Sequence, residues 1–191
     1  MRSTRSARAA AALSASLAAF IALAGCGTHT QSDANEGAQR VLGWNVDTAL
    51  MCLQDVAPDL QGELDPAALT EVLMPCGGIT SFNHDDEAIR TVDPLDSVRG
   101  TIVVSGSTAG DQLTLQIVTS GSALAEAGHS RSRALVATCW QVGIDLTTHT
   151  VGEPMSSACN EAVIERKNPS EVVPFDEVTR DTTPTEEAAG N

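Results

Sequence analysis

Tyrosine is absent, and beyond residue 25 only four aromatic side chains occur: Trp44, Phe82, Trp140 and Phe175. Sites for sugars or single-stranded nucleic acid lean on such rings as stacking platforms. Neither class of site is expected, and the core has to be filled by Val, Leu, Ile and Ala. Cationic residues are scarce too, with 11 Lys and Arg against 25 Asp and Glu, a formal charge of −14. Duplex or single-strand binding needs clustered Lys and Arg against phosphate, so the balance argues against a nucleic-acid partner. The chain also lacks a P-loop, a G-x-G-x-x-G turn, a G-x-S-x-G elbow and any C-x-x-C pair. No cofactor and no metal are expected.

Long hydrophobic runs are missing as well, save one. Arg2, Arg5 and Arg8 precede sixteen residues, Ala9 to Ala24, that are all Ala, Leu, Phe or Ile except Ser14 and Ser16. A spanning helix needs about 20 apolar residues. A basic start, a short apolar core and small residues at its end describe an export signal. No Arg-Arg pair suggests the twin-arginine route. The segment closes on Leu23-Ala24-Gly25-Cys26, which resembles the lipobox of bacterial lipoproteins. That resemblance covers about the first 26 residues. It implies diacylglyceryl transfer to the sulfur of Cys26, cleavage before Cys26, and a cell-membrane location on the extracytoplasmic face. The chemistry is coherent: a thiol is a strong side-chain nucleophile, and small residues ahead of it let a peptidase reach the backbone. Two acyl chains, at about 0.8 kcal/mol per buried methylene, give the stable anchoring that one chain does not.

Removal of residues 1–25 would leave 166 residues, enough for one domain with tails. Loss of the three signal arginines leaves eight cations against 25 acids, a formal −17. Such acidity keeps an exported protein soluble, and it also suits a cationic partner. Five cysteines become an even set once Cys26 is lipidated: Cys52, Cys76, Cys139 and Cys159. Four cysteines in an oxidising compartment allow three pairings. Pairing within local units, Cys52 with Cys76 and Cys139 with Cys159, is expected, each closure contributing about 3 kcal/mol in the chain-entropy model.

Residues 26–40, the lipidated Cys and "GTHTQSDANEGAQR", hold no large apolar side chain after Cys26 and read as a flexible tether of roughly 20 Å. The domain proper is expected over 41–178. Val46, Leu50, Leu53 and Ala57 give a helical face, with Asn45 as a plausible cap and Pro58 as the stop. "LDPAALTEVLMPCGG" predicts a second helix, capped by Asp65 and begun at Pro66. Thr101–Ser105 and Leu113–Ile117 read as strands joined through "GSTAG", and Arg133–Leu146 as a longer one. "SGSALAEAGHSRSR" between them reads as a loop or short helical turn. Ser157–Lys167 suits a short helix or a last strand, and residues 179–191 a disordered acidic tail. The expected class is α+β: an N-terminal helical hairpin, then a three- to four-stranded antiparallel sheet, stapled by disulfides.

Candidate chemistry is thin. Adjacent residues of His84-Asp85-Asp86-Glu87 point to opposite faces of an extended segment and miss the EF-hand spacing, so they read as a solvated acidic turn. Ser107 lies in a hairpin-like stretch. Cys139-Trp140 fits a disulfide half beside a core ring. His129 and His149 flank the long strand at opposite ends, and Arg131 and Arg133 form the one basic pair of that region. No catalytic residue is assigned. Three functions are compatible: a non-enzymatic lipoprotein binding a protein or other envelope component; an inhibitor of a cationic protein such as lysozyme; and a hydrolase whose residues the sequence does not reveal, tested by mutating Ser107, Ser122, His129 and His149.

Overall fold

The computed structural model describes residues 6–60, 68, 71–72, 79–81 and 100–180, with side chains from residue 29 onward except those of 79–81. Helix α1 spans Ser6–Val56 and passes into a 3₁₀ turn at Ala57–Asp59, where Pro58 sits in the first turn. Seven strands follow: β1 Ile79–Ser81, β2 Thr101–Ala109, β3 Gln112–Ala127, β4 Ser130–Asp145, β5 Thr150–Val151, β6 Met155–Ser156 and β7 Glu171–Val172. The short helix α2, Glu161–Lys167, lies between β6 and β7. The α+β class holds, but the sheet is larger than expected and mixed. β1 runs parallel to β2, and β7 runs parallel to β4.

The sheet is organised by two consecutive hairpins. β2 turns into β3 through Gly110-Asp111, and β3 turns into β4 through Gly128-His129. Gly110 and Gly128 have φ of 62° and 61°, the positive value that the first position of a II′ turn requires. β3 and β4 then stay in unbroken register over sixteen pairs, from Gln112↔Asp145 to Ala127↔Ser130. A bulge at Val104 shifts the β2–β3 register between Val103 and Ser105. Along the far side of β4, the strands β5, β6 and β7 pair in turn at Ile144–Asp145, Trp140–Gln141 and Val136–Ala137.

Two sequence expectations give way here. The segment "SGSALAEAGHSRSR" is the distal half of the β3–β4 hairpin, not a loop or helical turn. Its inward positions on β3 are Gly121, Ala123 and Ala125, the second paired with Ala134, too weakly apolar to display a period of two. Residues 29–40, expected as part of a tether, belong to α1, and Thr30, Ala34 and Ala38 are buried. Small side chains suffice because the sheet beneath is equally small. Ala34, Ala38 and Leu42 pack on Ala134 and Val136, with Ala123 and Ala125 beside them. A Cβ on Gly121 would come within 2.2 Å of the Ala38 carbonyl oxygen and 2.3 Å of the Leu42 nitrogen, so the helix rides directly on strand backbone.

Past Leu42 the same helix meets large side chains. Val46, Ala49, Leu53 and Val56 bury themselves against Val103, Leu113, Leu115, Ile117, Trp140, Val142, Ile144 and Phe175. Asn45 is not a cap but a mid-helix residue whose Nδ2 donates to the Ser120 carbonyl at 2.7 Å. Helix α2 covers the opposite face over Ile102, Val104, Val118 and Cys139. Asn160 Oδ1 caps it by accepting from the Val163 amide at 3.1 Å, and Asn168 closes it at φ 46°. Just ahead of that cap, Cys159 is bonded to Cys139, with Cα atoms 5.2 Å apart.

The C-terminal strap returns to the α1 side. Phe175 stacks on Trp140 with centroids 5.5 Å apart, and the Arg180 guanidinium lies 5.4 Å above the Phe175 ring. Gly43 lets Thr179 cross α1, since a Cβ there would meet the Thr179 carbonyl oxygen at 2.2 Å. Thr179 and Arg180 are therefore packed rather than part of a free tail, while 181–191 lie outside the described residues. Most of the expected second helix lies outside them as well, though Ala68, Glu71 and Val72 are helical.

Candidate functional site

Buried polar side chains gather at one level of the sheet, on both of its faces. On the α1 face, Thr101, Thr119 and Thr138 form a row across β2, β3 and β4. Thr101 Oγ1 and Thr119 Oγ1 are 3.1 Å apart, and Trp140 Nε1 donates to Thr119 Oγ1 at 2.9 Å. Thr138 Oγ1 is buried without a hydrogen-bond partner. The ring nitrogen of a fully buried Trp is thus satisfied inside the core, which is where buried tryptophan N–H groups find partners.

On the other face, Lys167 Nζ donates to Ser120 Oγ at 3.0 Å, and Ser120 Oγ donates to the Gly100 carbonyl at 3.2 Å. A serine beside a lysine is the pairing of a nucleophile with a base. Here the serine lone pair receives the lysine and its proton is engaged by a carbonyl. Ser120 is 4% and Lys167 6% exposed, so a substrate carbonyl has no approach to the oxygen. The pair joins the end of α2 to the middle of β3. Nothing in the sequence points to it, because Ser120 and Lys167 are 47 residues apart and neither stands in a motif.

The residues singled out from sequence do not converge. Ser107 lies in exposed β2 opposite Thr114, Ser122 is half-buried opposite Leu135, and His129 is exposed in the β3–β4 turn. His149, at φ 56°, brings Nδ1 within 3.1 Å of the Ala57 carbonyl and ties the β4–β5 turn to the end of α1. Asp145 organises that turn by accepting the Thr147 and Thr148 amides at 2.9 and 2.8 Å. Those bonds, the Thr148 amide first, hold its carboxyl below the usual value. Among the described residues no cluster of three or more His, Cys, Asp or Glu could hold a metal ion. His84-Asp85-Asp86-Glu87 lies outside them.

Cys139 and Cys159 are paired as expected. Cys52 is half-buried on α1 and disulfide-bonded. Cys76 lies outside the described residues, and so does the side chain of Cys26. Among the described residues no helix is long and apolar enough to cross a membrane.

Two surfaces remain conspicuous. On the outer side of α1, Trp44 is 68% exposed, with Val41 exposed one turn before it and Met51 two turns after it. At the distal hairpin, Leu124 is 59% exposed directly across from Arg133, and Arg131 Nε pairs with Glu126 Oε1 at 2.9 Å. Beside them an open cleft of about 410 Å³ is lined by Arg133, Leu135, Asn168, Pro169 and Ser170. No protein-family model matches this chain, and comparison with curated proteins and with solved structures likewise finds no match.

Proposed function

We propose that the protein is a membrane-anchored extracytoplasmic lipoprotein whose folded domain is a non-enzymatic binding module of the cell envelope. The observation that carries this reading is Leu23-Ala24-Gly25-Cys26 at the end of the export signal. Cleavage there starts the mature chain at Cys26, four residues before Thr30, the first buried residue among the described side chains of α1. The bonded state of Cys52, Cys139 and Cys159 suits an oxidising compartment. An exposed Trp with apolar neighbours is the kind of surface on which binding energy concentrates, and Trp44 with Val41 and Met51 is the contact we assign to a protein or envelope component. Mass spectrometry of the membrane-extracted protein tests the anchor: a diacylglyceryl thioether on an N-terminal Cys26 is expected. Replacement Cys26→Ser should leave the full chain unlipidated and uncleaved at this site. An unmodified chain beginning elsewhere contradicts the reading.

A further inference from the structure

The position of Cys26 relative to the sheet follows from two packing contacts. A Cβ on Gly37 would lie 2.9 Å from Ala123 Cβ, and Gly121 lies beneath Ala38 and Leu42. Helix and strand therefore run side by side, with earlier helix residues level with later β3 residues. Cys26 is eleven residues before Gly37, about 16 Å along a helix at 1.5 Å per residue. Gly128 is five residues beyond Ala123, about 16 Å along a strand at 3.3 Å per residue. The β3–β4 turn and the acylation site thus stand at the same level, at one end of the domain that cleavage before Cys26 would leave.

On the face of the hairpin away from α1, that end carries two cations against one acid, in a mature chain of eight cations against 25 acids. Arg131 and Arg133 point to the face of the hairpin not covered by α1, together with Leu124 and half-buried Leu135. His129 occupies the turn itself. Glu126 on the same face is held by Arg131, and Asp33 and Glu36 lie exposed on α1. A chain of formal charge −17 after processing is repelled by an anionic bilayer wherever its acids face it. Two arginines flanking an exposed leucine, at the level of the lipid, offer one end where contact is favourable.

Resting on the lipoprotein reading, we propose that the distal β3–β4 hairpin docks on the bilayer beside the anchor, Arg131 and Arg133 engaging anionic phospholipid headgroups and Leu124 entering the interface. The domain is then held in one orientation, with Trp44 directed away from the lipid. Eighteen helical residues separate Trp44 from Cys26, about 27 Å at the α-helical rise.

The test uses the lipidated protein, reconstituted in vesicles, carrying Leu124→Trp in a Trp44→Phe background so that buried Trp140 is the only other indole. Brominated phosphatidylglycerol in phosphatidylcholine vesicles should quench the emission of the introduced indole. Arg131→Gln with Arg133→Gln should relieve most of that quenching. Tryptic cleavage after Arg131 and Arg133 of the unsubstituted protein should also be slower on these vesicles than in detergent, a readout independent of the substituted chain. Protein that floats with the vesicles but shows neither quenching nor protection overturns the docking and leaves the anchor intact. Quenching indifferent to the two arginines overturns their role and with it the proposal. Protein that does not float and carries no lipid overturns the anchor reading itself.

Discussion

The two halves of the packed part of α1, residues 30–56, bury the same helix by opposite means. From Val46 to Val56 it lays Val, Leu and Ala onto a layer of Leu, Ile, Val, Trp and Phe. From Thr30 to Leu42 it presents chiefly Ala and Gly to a strand of Gly and Ala, and the backbones close to contact. The first half gains its stability by removing apolar area from water, about 25 cal/mol per Å². The second buries little area per residue and depends on close approach and dispersion. Each should therefore fail in its own way: the large-residue half when side chains are shortened, the small-residue half when they are lengthened.

The largest expected effect lies in the first half. Trp140→Ala removes the ring that stacks on Phe175 and donates to Thr119, and should cost about 3–5 kcal/mol, measured by chemical denaturation. Next comes the joint replacement of Cys139 and Cys159 by Ala, expected to cost about 3 kcal/mol for a loop of 20 residues. Gly121→Ala follows. It inserts one methyl against the Ala38 carbonyl and the Leu42 amide and should cost about 1–3 kcal/mol. Ala38→Gly at the same contact should cost less, about 1 kcal/mol from helix propensity. If Gly121→Ala were neutral, the two halves would not differ as described.

The smallest effect is at the β4–β5 turn. Asp145 has a folded-state pKa below the ordinary 3.8 because the Thr148 and Thr147 amides favour its charged form. Its contribution is present above the ordinary carboxylate value and is lost as pH falls through the lowered one. Asp145→Ala should thus lower the denaturation midpoint at neutral pH and converge with the parent protein in acid. A difference that persisted unchanged in acid would show that the carboxylate is not the cause.

The large-residue half was legible in the sequence and the small-residue half was not. Val46, Leu50 and Leu53 announce a helical face by contrast with their polar neighbours, and Leu113, Leu115 and Ile117 announce a strand. Residues 29–40 and 121–127 carry no such contrast. Their complementarity is a matter of missing side chains on both partners, which a pattern of large apolar residues cannot reveal. The parallel pairing of β7 with β4 was hidden because a two-residue strand has no period. The pairing of Cys139 with Cys159 was legible from cysteine count and spacing. Ser120 with Lys167 was not, because a residue in the middle of β3 and one at the end of a short helix meet only after the sheet has formed.

The proposed anchor on Cys26 is the part of the functional reading that the packing of α1 makes most specific. If Cys26 is acylated as proposed, the lipid stands four positions before buried Thr30 and leaves little slack between bilayer and domain, whereas a free segment up to residue 40 would leave much. The mass of the N-terminal peptide released from membrane-extracted protein tests this most directly. The account predicts a peptide beginning at Cys26 and carrying a diacylglyceryl thioether. A peptide that retains residues before Cys26, or begins at Cys26 without lipid, would contradict it.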